Sequence, residues 1–142
     1  RQASVFAGLQ ALEGVDPDIV LIHDAARPFV SLELIDRVLA QLSTTDGCVP
    51  VLRVTETVKK ITASQQIETT IPRDQLCLAQ TPQGFKYHSL LKAHEKFQDH
   101  SGFTDDACLF EELGLPVTVC PGDILNIKIT YPEDLKNVQS NR

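Results

Sequence analysis

The stretch His23-Asp24-Ala25-Ala26-Arg27-Pro28 sets a carboxylate, two small residues and a guanidinium within five positions. The carboxylate can accept hydroxyl hydrogen bonds, the guanidinium can hold a phosphate bidentately, and the small residues let a ligand approach the backbone. The plainer reading is an internal ion pair that closes a turn. Lys128, in Asn126-Ile127-Lys128-Ile129-Thr130, is the second candidate. If Ile127 and Ile129 face a core, Lys128 projects the other way. Its compact ammonium suits phosphate, although a solvated strand lysine is the commoner occurrence. In Thr81-Pro82-Gln83 the proline holds Thr81 extended, leaving its hydroxyl at a strand end. Alone, that is only a turn signal.

The other polar clusters favour structural readings. His94 fits the edge of a helix core better than a ligand set, and His23 is given a structural role. Asp105-Asp106 and Glu111-Glu112 read as a solvated acidic face, the first pair complementing a helix dipole. Lys59-Lys60 is too short a charge run to mean nucleic acid. The sequence holds no GxGxxG, GxxxxGK[ST] or GxSxG segment, so the common phosphate cradles and nucleophile elbows are absent from it. Cys48, Cys77, Cys108 and Cys120 form no CxxC pair, which favours buried free thiols over a zinc site.

The elements that must position these residues alternate between helix and strand, the mark of an α/β layer fold. Val5, Leu9 and Leu12 share a helical face, with Gly14 as the stop. Asp18 to Asp24 reads as a strand buried on both faces, as in a parallel sheet. The turn after it lies beyond a carboxyl end, where ligands sit in open α/β sheets. Ser31 caps a helix with the stripe Ile35, Val38, Leu39 and Leu42, and Cys48 to Leu52 is the next strand. Residues 53 to 73 read as a polar two-stranded hairpin, which is marginal alone in water and calls for a second subunit. Leu76 to Gln80 is a short strand. Tyr87, Leu90, Leu91, His94 and Phe97 trace a helix. Thr104 caps another, carrying Leu109, Phe110 and Leu113 and ended by Gly114. Val117 to Cys120 and Asn126 to Thr130 are strands. Thr130-Tyr131-Pro132-Glu133 is a capping box, with a frayed tail from Ser140.

The 142 residues suit one domain, and 42% of them are apolar, enough for a core. Thirteen Lys and Arg stand against 19 Asp and Glu, a formal charge of −6, which argues against a nucleic-acid partner. The longest strongly apolar run, Ile19 to Ile22, is far below the roughly 20 residues that cross a bilayer. No basic-then-apolar leader is present, and a cytoplasmic location is expected. The sequence has no Met and reads as a piece of a longer chain.

Taken in order, these segments resemble the 2-C-methyl-D-erythritol 4-phosphate cytidylyltransferase family. The match runs through Arg1-Gln2-Ala3-Ser4-Val5, His23 to Pro28, Glu56-Thr57-Val58-Lys59, Arg73 with Leu76, Ala79-Gln80-Thr81-Pro82-Gln83, Thr104-Asp105-Asp106, and Asn126 to Thr130 with Pro132-Glu133-Asp134-Leu135. The resemblance implies an α/β, Rossmann-like nucleotidyltransferase fold of the nucleotide-diphospho-sugar transferase type. A projecting β-hairpin arm at about 53–73 would make a homodimer. It implies cytidylyl transfer from CTP to methylerythritol phosphate, releasing pyrophosphate, with Mg²⁺, in the non-mevalonate isoprenoid pathway. By the same resemblance Ser4, Asp24 and Ala25 contact the nucleotide. Asp24, Arg27, Thr57, Thr81 and Thr104 contact the second substrate, and Arg73 and Lys128 position the attacking phosphate. No protein metal ligand is assigned. Thr57 and Arg73 would reach the neighbouring subunit's site.

The family's first strand and Gly-rich CTP loop precede Arg1, so the N-terminal part of the sheet is missing and the chain alone is expected to be inactive. Leu125, Cys77 and Glu56 depart from the residues common at their positions. Two other readings stand beside this one. A ribitol 5-phosphate cytidylyltransferase would differ at Ala25-Ala26, and a non-catalytic dimerisation fragment would lack a functional site. Half of a dinucleotide dehydrogenase is disfavoured by the absent Gly-rich fingerprint.

Overall fold

The computed structural model describes residues 1–100, 102–131 and 133–134. Their order is α1 (Gln2–Ala11), β1 (Ile19–Ile22), α2 (Leu32–Gln41), β2 (Gly47–Arg53), β3 (Val58–Ile61) and β4 (Ile67–Ile71). A 3₁₀ turn (Arg73–Gln75) leads to β5 (Cys77–Ala79), β6 (Gln83–Lys86), α3 (Tyr87–Lys96), α4 (Ala107–Glu112) and β7 (Thr118–Pro121). Five strands form one sheet in the order β1-β6-β2-β5, with β7 also paired to β2.

The strand at 19–22 does not pair in parallel as its apolar run suggested. It is antiparallel to β6, with Ile19 opposite Lys86 and Ile22 opposite Gln83. Because β6 is itself antiparallel to β2, β1 still runs in the same direction as β2 and its parallel partner β7. The unbroken apolar run is explained by helices on both faces. Val20 and Ile22 pack with Leu9, Phe85, Tyr87, Leu90 and Phe110. Ile19 and Leu21 pack with Val38, Leu42, Cys48 and Cys120. The sheet is thus the middle of three layers.

Ser31 caps α2 as its residue type demands, accepting the Leu34 N–H at 3.2 Å. The buried stripe of α2 is Leu34, Val38 and Leu42, while Leu39 faces solvent. Val38 and Leu42 of the predicted stripe are thus buried, Leu34 takes the buried place ahead of half-buried Ile35, and Leu39 does not join them. Gly84 on β6 lets this helix approach closely, since a Cβ there would lie 2.6 Å from Val38 Cγ1. The first helix ends at Ala11, before Gly14, and the left-handed residue that follows is Asp16, at φ 51°. Gly114 does take the left-handed conformation after α4, at φ 66°.

Residues 126–130 are not a strand; Ile129 N–H donates to Ala26 O at 2.8 Å. The inward–outward alternation nonetheless holds, with Asn126 buried, Ile127 and Ile129 half-buried and Lys128 exposed. At the predicted capping box, Asp134 rather than Glu133 takes the N–H groups of Thr130 and Tyr131. Those two bonds hold its carboxyl below the ordinary value. Pro132, Leu135 and the tail from Ser140 lie outside the described residues.

The hairpin forms where it is predicted. Among the described residues β3 and β4 pair only with each other, as a two-stranded sheet separate from the main one, with Val58 opposite Ile71. Its tip turns through Gln65 at φ 63°. Ile61 and Ile67 are exposed on it, and a Lys60–Glu68 ion pair of 2.8 Å spans its strands.

Candidate active site

The turn after β1 is held against two other segments, one carrying Thr81 and one carrying Asn126 and Lys128. Thr81 Oγ1 accepts the backbone N–H of Asp24 at 3.0 Å and bonds His23 Nδ1 at 2.9 Å. His23 Nε2 lies 2.9 Å from Arg27 O. A carbonyl can only accept, so Nε2 carries a proton, and His23 has the structural role assigned to it. Arg27 Nη1 donates to Asn126 O at 2.8 Å. Asn126, fully buried, donates from Nδ2 to Thr81 O at 2.7 Å.

The carboxylate of Asp24 is the centre of this arrangement. Its Oδ2 lies 3.2 Å from Lys128 Nζ and 3.7 Å from Arg27 Nε. Both cations are thereby presented beside a carboxylate that is itself a quarter exposed. A cleft of about 270 Å³ is lined by Asp24, Arg27, Thr81, Thr104 and Lys128, together with Gln83. A half-exposed ammonium beside a guanidinium in a cleft can receive a phosphate, and Asp24 can accept from a hydroxyl. So the turn contains the internal ion pair of the plainer reading, and that pair faces an open cleft.

The single chain does not gather every candidate. Ser4 is exposed and lines a different cleft, between α1 and β1, beside Leu9, Ile22 and His23. Ala25 is exposed in the turn. Thr57 is exposed at the root of the arm. Arg73 donates from Nη1 to Thr55 O and lines a cleft with Arg53, Asp74 and Cys77. Ser4, Thr57 and Arg73 thus lie outside the Asp24–Lys128 cleft.

Two expectations are corrected here. Thr104 does not cap α4: the cap position is Asp106, and Asp105 Oδ1 accepts the Cys108 N–H at 3.1 Å. Asp106 is not on a solvated face. It is 1% exposed, with His94 Nε2 at 2.8 Å and Arg1 Nη2 at 2.6 Å. Gln80 and Asp123, to which the sequence assigned no role, meet here. Buried Gln80 accepts the Asp123 N–H at 3.0 Å and donates to Asp123 O at 2.9 Å. This clamp holds the start of the segment that carries Lys128.

Comparison with known proteins decides the family. The family model of IspD, 2-C-methyl-D-erythritol 4-phosphate cytidylyltransferase, matches residues 1–140. The chain belongs to this family. The bifunctional enzyme IspD/IspF of Bradyrhizobium diazoefficiens is 50% identical over 94% of the chain, which spans 34% of that protein. Its counterpart in Bartonella bacilliformis is 44% identical over 99% of the chain and 36% of its own length. The chain therefore spans about a third of the curated relatives it matches. The crystal structure of the cytidylyltransferase from Thermus thermophilus superposes with a TM-score of 0.87 at 38% identity, over 99% of this chain and 68% of that one. The synthase from Anaerococcus prevotii gives 0.90 at 33%, over 99% and 65%. These likenesses bear out the Rossmann-like cytidylyltransferase fold.

Among the described residues no three His, Cys, Asp or Glu side chains converge. The Asp24 carboxylate already faces two cations, and both oxygens of Asp105 are taken, by Cys108 N–H and by Gln83 Nε2. These residues do not fit a Mg²⁺ cage.

Proposed function

We propose that the protein containing this chain transfers a cytidylyl group from CTP to 2-C-methyl-D-erythritol 4-phosphate. The products are 4-diphosphocytidyl-2-C-methyl-D-erythritol and pyrophosphate, and the step serves isoprenoid synthesis in the cytoplasm. The observation that carries the reading is one carboxylate, Asp24, holding both Lys128 and Arg27 at the rim of a cleft, in a chain of this family.

In this reaction a phosphate oxygen of the polyol attacks the α-phosphorus of CTP. One P–O bond forms as the bond to the bridging oxygen of pyrophosphate breaks. Such transfers need in-line placement and fixed positive charge more than covalent help. Lys128 and Arg27 neutralise and orient the attacking phosphate, while Asp24 fixes both cations and accepts from a substrate hydroxyl. Thr104 supplies a hydroxyl to the same cleft. Thr81, already bonded twice, keeps one lone pair for the substrate. Ser4 and Ala25 face the nucleotide. A divalent cation would come in on the phosphates of CTP, as hard cations with few protein ligands do.

Thr57 and Arg73 act on a second copy. The arm that carries them pairs only with itself and exposes Ile61 and Ile67, which favours a homodimer through residues 53–73 with sites shared between subunits.

The test is turnover by the full-length protein with CTP and either methylerythritol phosphate or ribitol 5-phosphate. Faster turnover of ribitol phosphate would overturn the substrate assignment, and no turnover of either would favour the non-catalytic reading.

A further inference from the structure

The side wall of the cleft contains a buried ion pair that the reaction above leaves unused. Asp106 is 1% exposed, and an isolated carboxylate so placed is costly unless paired. Oδ1 receives Nε2 of His94 at 2.8 Å, and Oδ2 receives Nη2 of Arg1 at 2.6 Å. The His94 side chain is wholly buried. Phe6 stacks on it, with ring centroids 5.9 Å apart and planes 4° from parallel. Asp106 therefore has little freedom to move.

Arg1 differs from its two partners in being one-third exposed. It lines the same cleft as Asp24, Arg27, Thr104 and Lys128. Its only ion pair among the described residues is with Asp106. Asp105, the other acid of that wall, is taken up by Gln83 and by the Cys108 N–H. A guanidinium carries five donors in a rigid fork. One anchored to a buried carboxylate keeps further donors for a second anion at no added ordering cost.

We infer that Arg1 is a further cation for the phosphate of the polyol phosphate, and that Asp106 and His94 are positioning residues for its guanidinium. This rests on the reading of the cleft given above.

The experiment is steady-state kinetics of the full-length protein, varying methylerythritol phosphate at saturating CTP and then the reverse. Arg1→Gln removes a charge-assisted contact and should raise KM for the polyol phosphate about 10- to 100-fold. It should leave kcat and the KM for CTP within about threefold, because the contact is made before and during transfer alike. Arg1→Lys keeps the charge and should recover part of the loss. Asp106→Asn should raise the same KM without raising the KM for CTP, and should add nothing in the Arg1→Gln background, as expected of a residue that acts through Arg1. Should Asp106→Asn fail to fold, the two Arg1 variants decide alone.

Lys128→Gln is the reference arm. If it impairs turnover while Arg1→Gln leaves the polyol KM within about twofold, or raises only the KM for CTP, the inference is overturned and the cleft assignment stands. If both variants are silent, the cleft assignment itself fails.

Discussion

Asn126 offers the sharpest check on how the site is held. Its Nδ2 donates to Thr81 O at 2.7 Å in a fully buried position, and its Oδ1 is buried without a hydrogen bond. Asn126→Ala removes a bond worth about 1 kcal/mol net and leaves the Thr81 carbonyl unsatisfied, at about 1–3 kcal/mol. It also removes the unpaired Oδ1, which returns a similar amount. The net local cost is therefore about 1 kcal/mol. Asn126→Asp is nearly isosteric but sets an oxygen against the Thr81 carbonyl in place of the donor. It should cost roughly 2 kcal/mol more than the alanine. Hydrogen exchange over residues 123–130 of the full-length protein reads this ranking as local opening. Kinetics read the consequence, because Asn126 lies two residues before Lys128 and its carbonyl also receives Arg27. Asn126→Ala should lower kcat/KM about tenfold in the native background and less than threefold once Lys128 is glutamine. Equal losses in both backgrounds, or an aspartate no worse than the alanine, would refute the reasoning.

Three further outcomes follow from other parts of the molecule. Gly84→Ala would put its Cβ 2.6 Å from Val38 Cγ1 and 2.8 Å from Leu42 Cδ1, so it should cost about 1–3 kcal/mol by overpacking; an unchanged melting temperature would rule out the close approach of α2. Burial first, and then the neighbouring Cys120, pushes the Cys48 thiol up to about 12, and burial also raises Cys120. These thiols should resist iodoacetamide at about pH 8 while exposed Cys77 reacts. A thiol raised on folding stabilises below its unfolded pKa of about 8.5, and that contribution fades as pH rises toward 12, so melting should fall across this alkaline window. Finally, Arg73→Glu and Lys128→Glu should each abolish turnover with the dimer retained. If sites are shared as proposed, mixing the two variants should restore about a quarter of native activity, because each mixed dimer would rebuild one site; failure to restore any would place Arg73 outside that site.

Much of this molecule was legible from its residues alone, because the signals were local. The Ile19–Ile22 run needed cover on both faces and has it. Ser31 capped its helix, and the polar 58–71 segment could only be a hairpin apart from the core. Asp24, Arg27 and Lys128 stood out as charges at the ends of apolar segments, and they meet. What the sequence could not determine depends on contacts between distant residues. β1 pairs antiparallel with a strand more than sixty positions away, and pairing direction leaves no mark in an apolar run. Asp106 read as surface because its helix-start position suits solvent; only the fold brings His94 and Arg1 to it and makes a buried carboxylate tolerable. The Gln80–Asp123 and Asn126–Thr81 clamps are invisible for the same reason, since an amide's worth depends on which carbonyl faces it, and chain topology decides that.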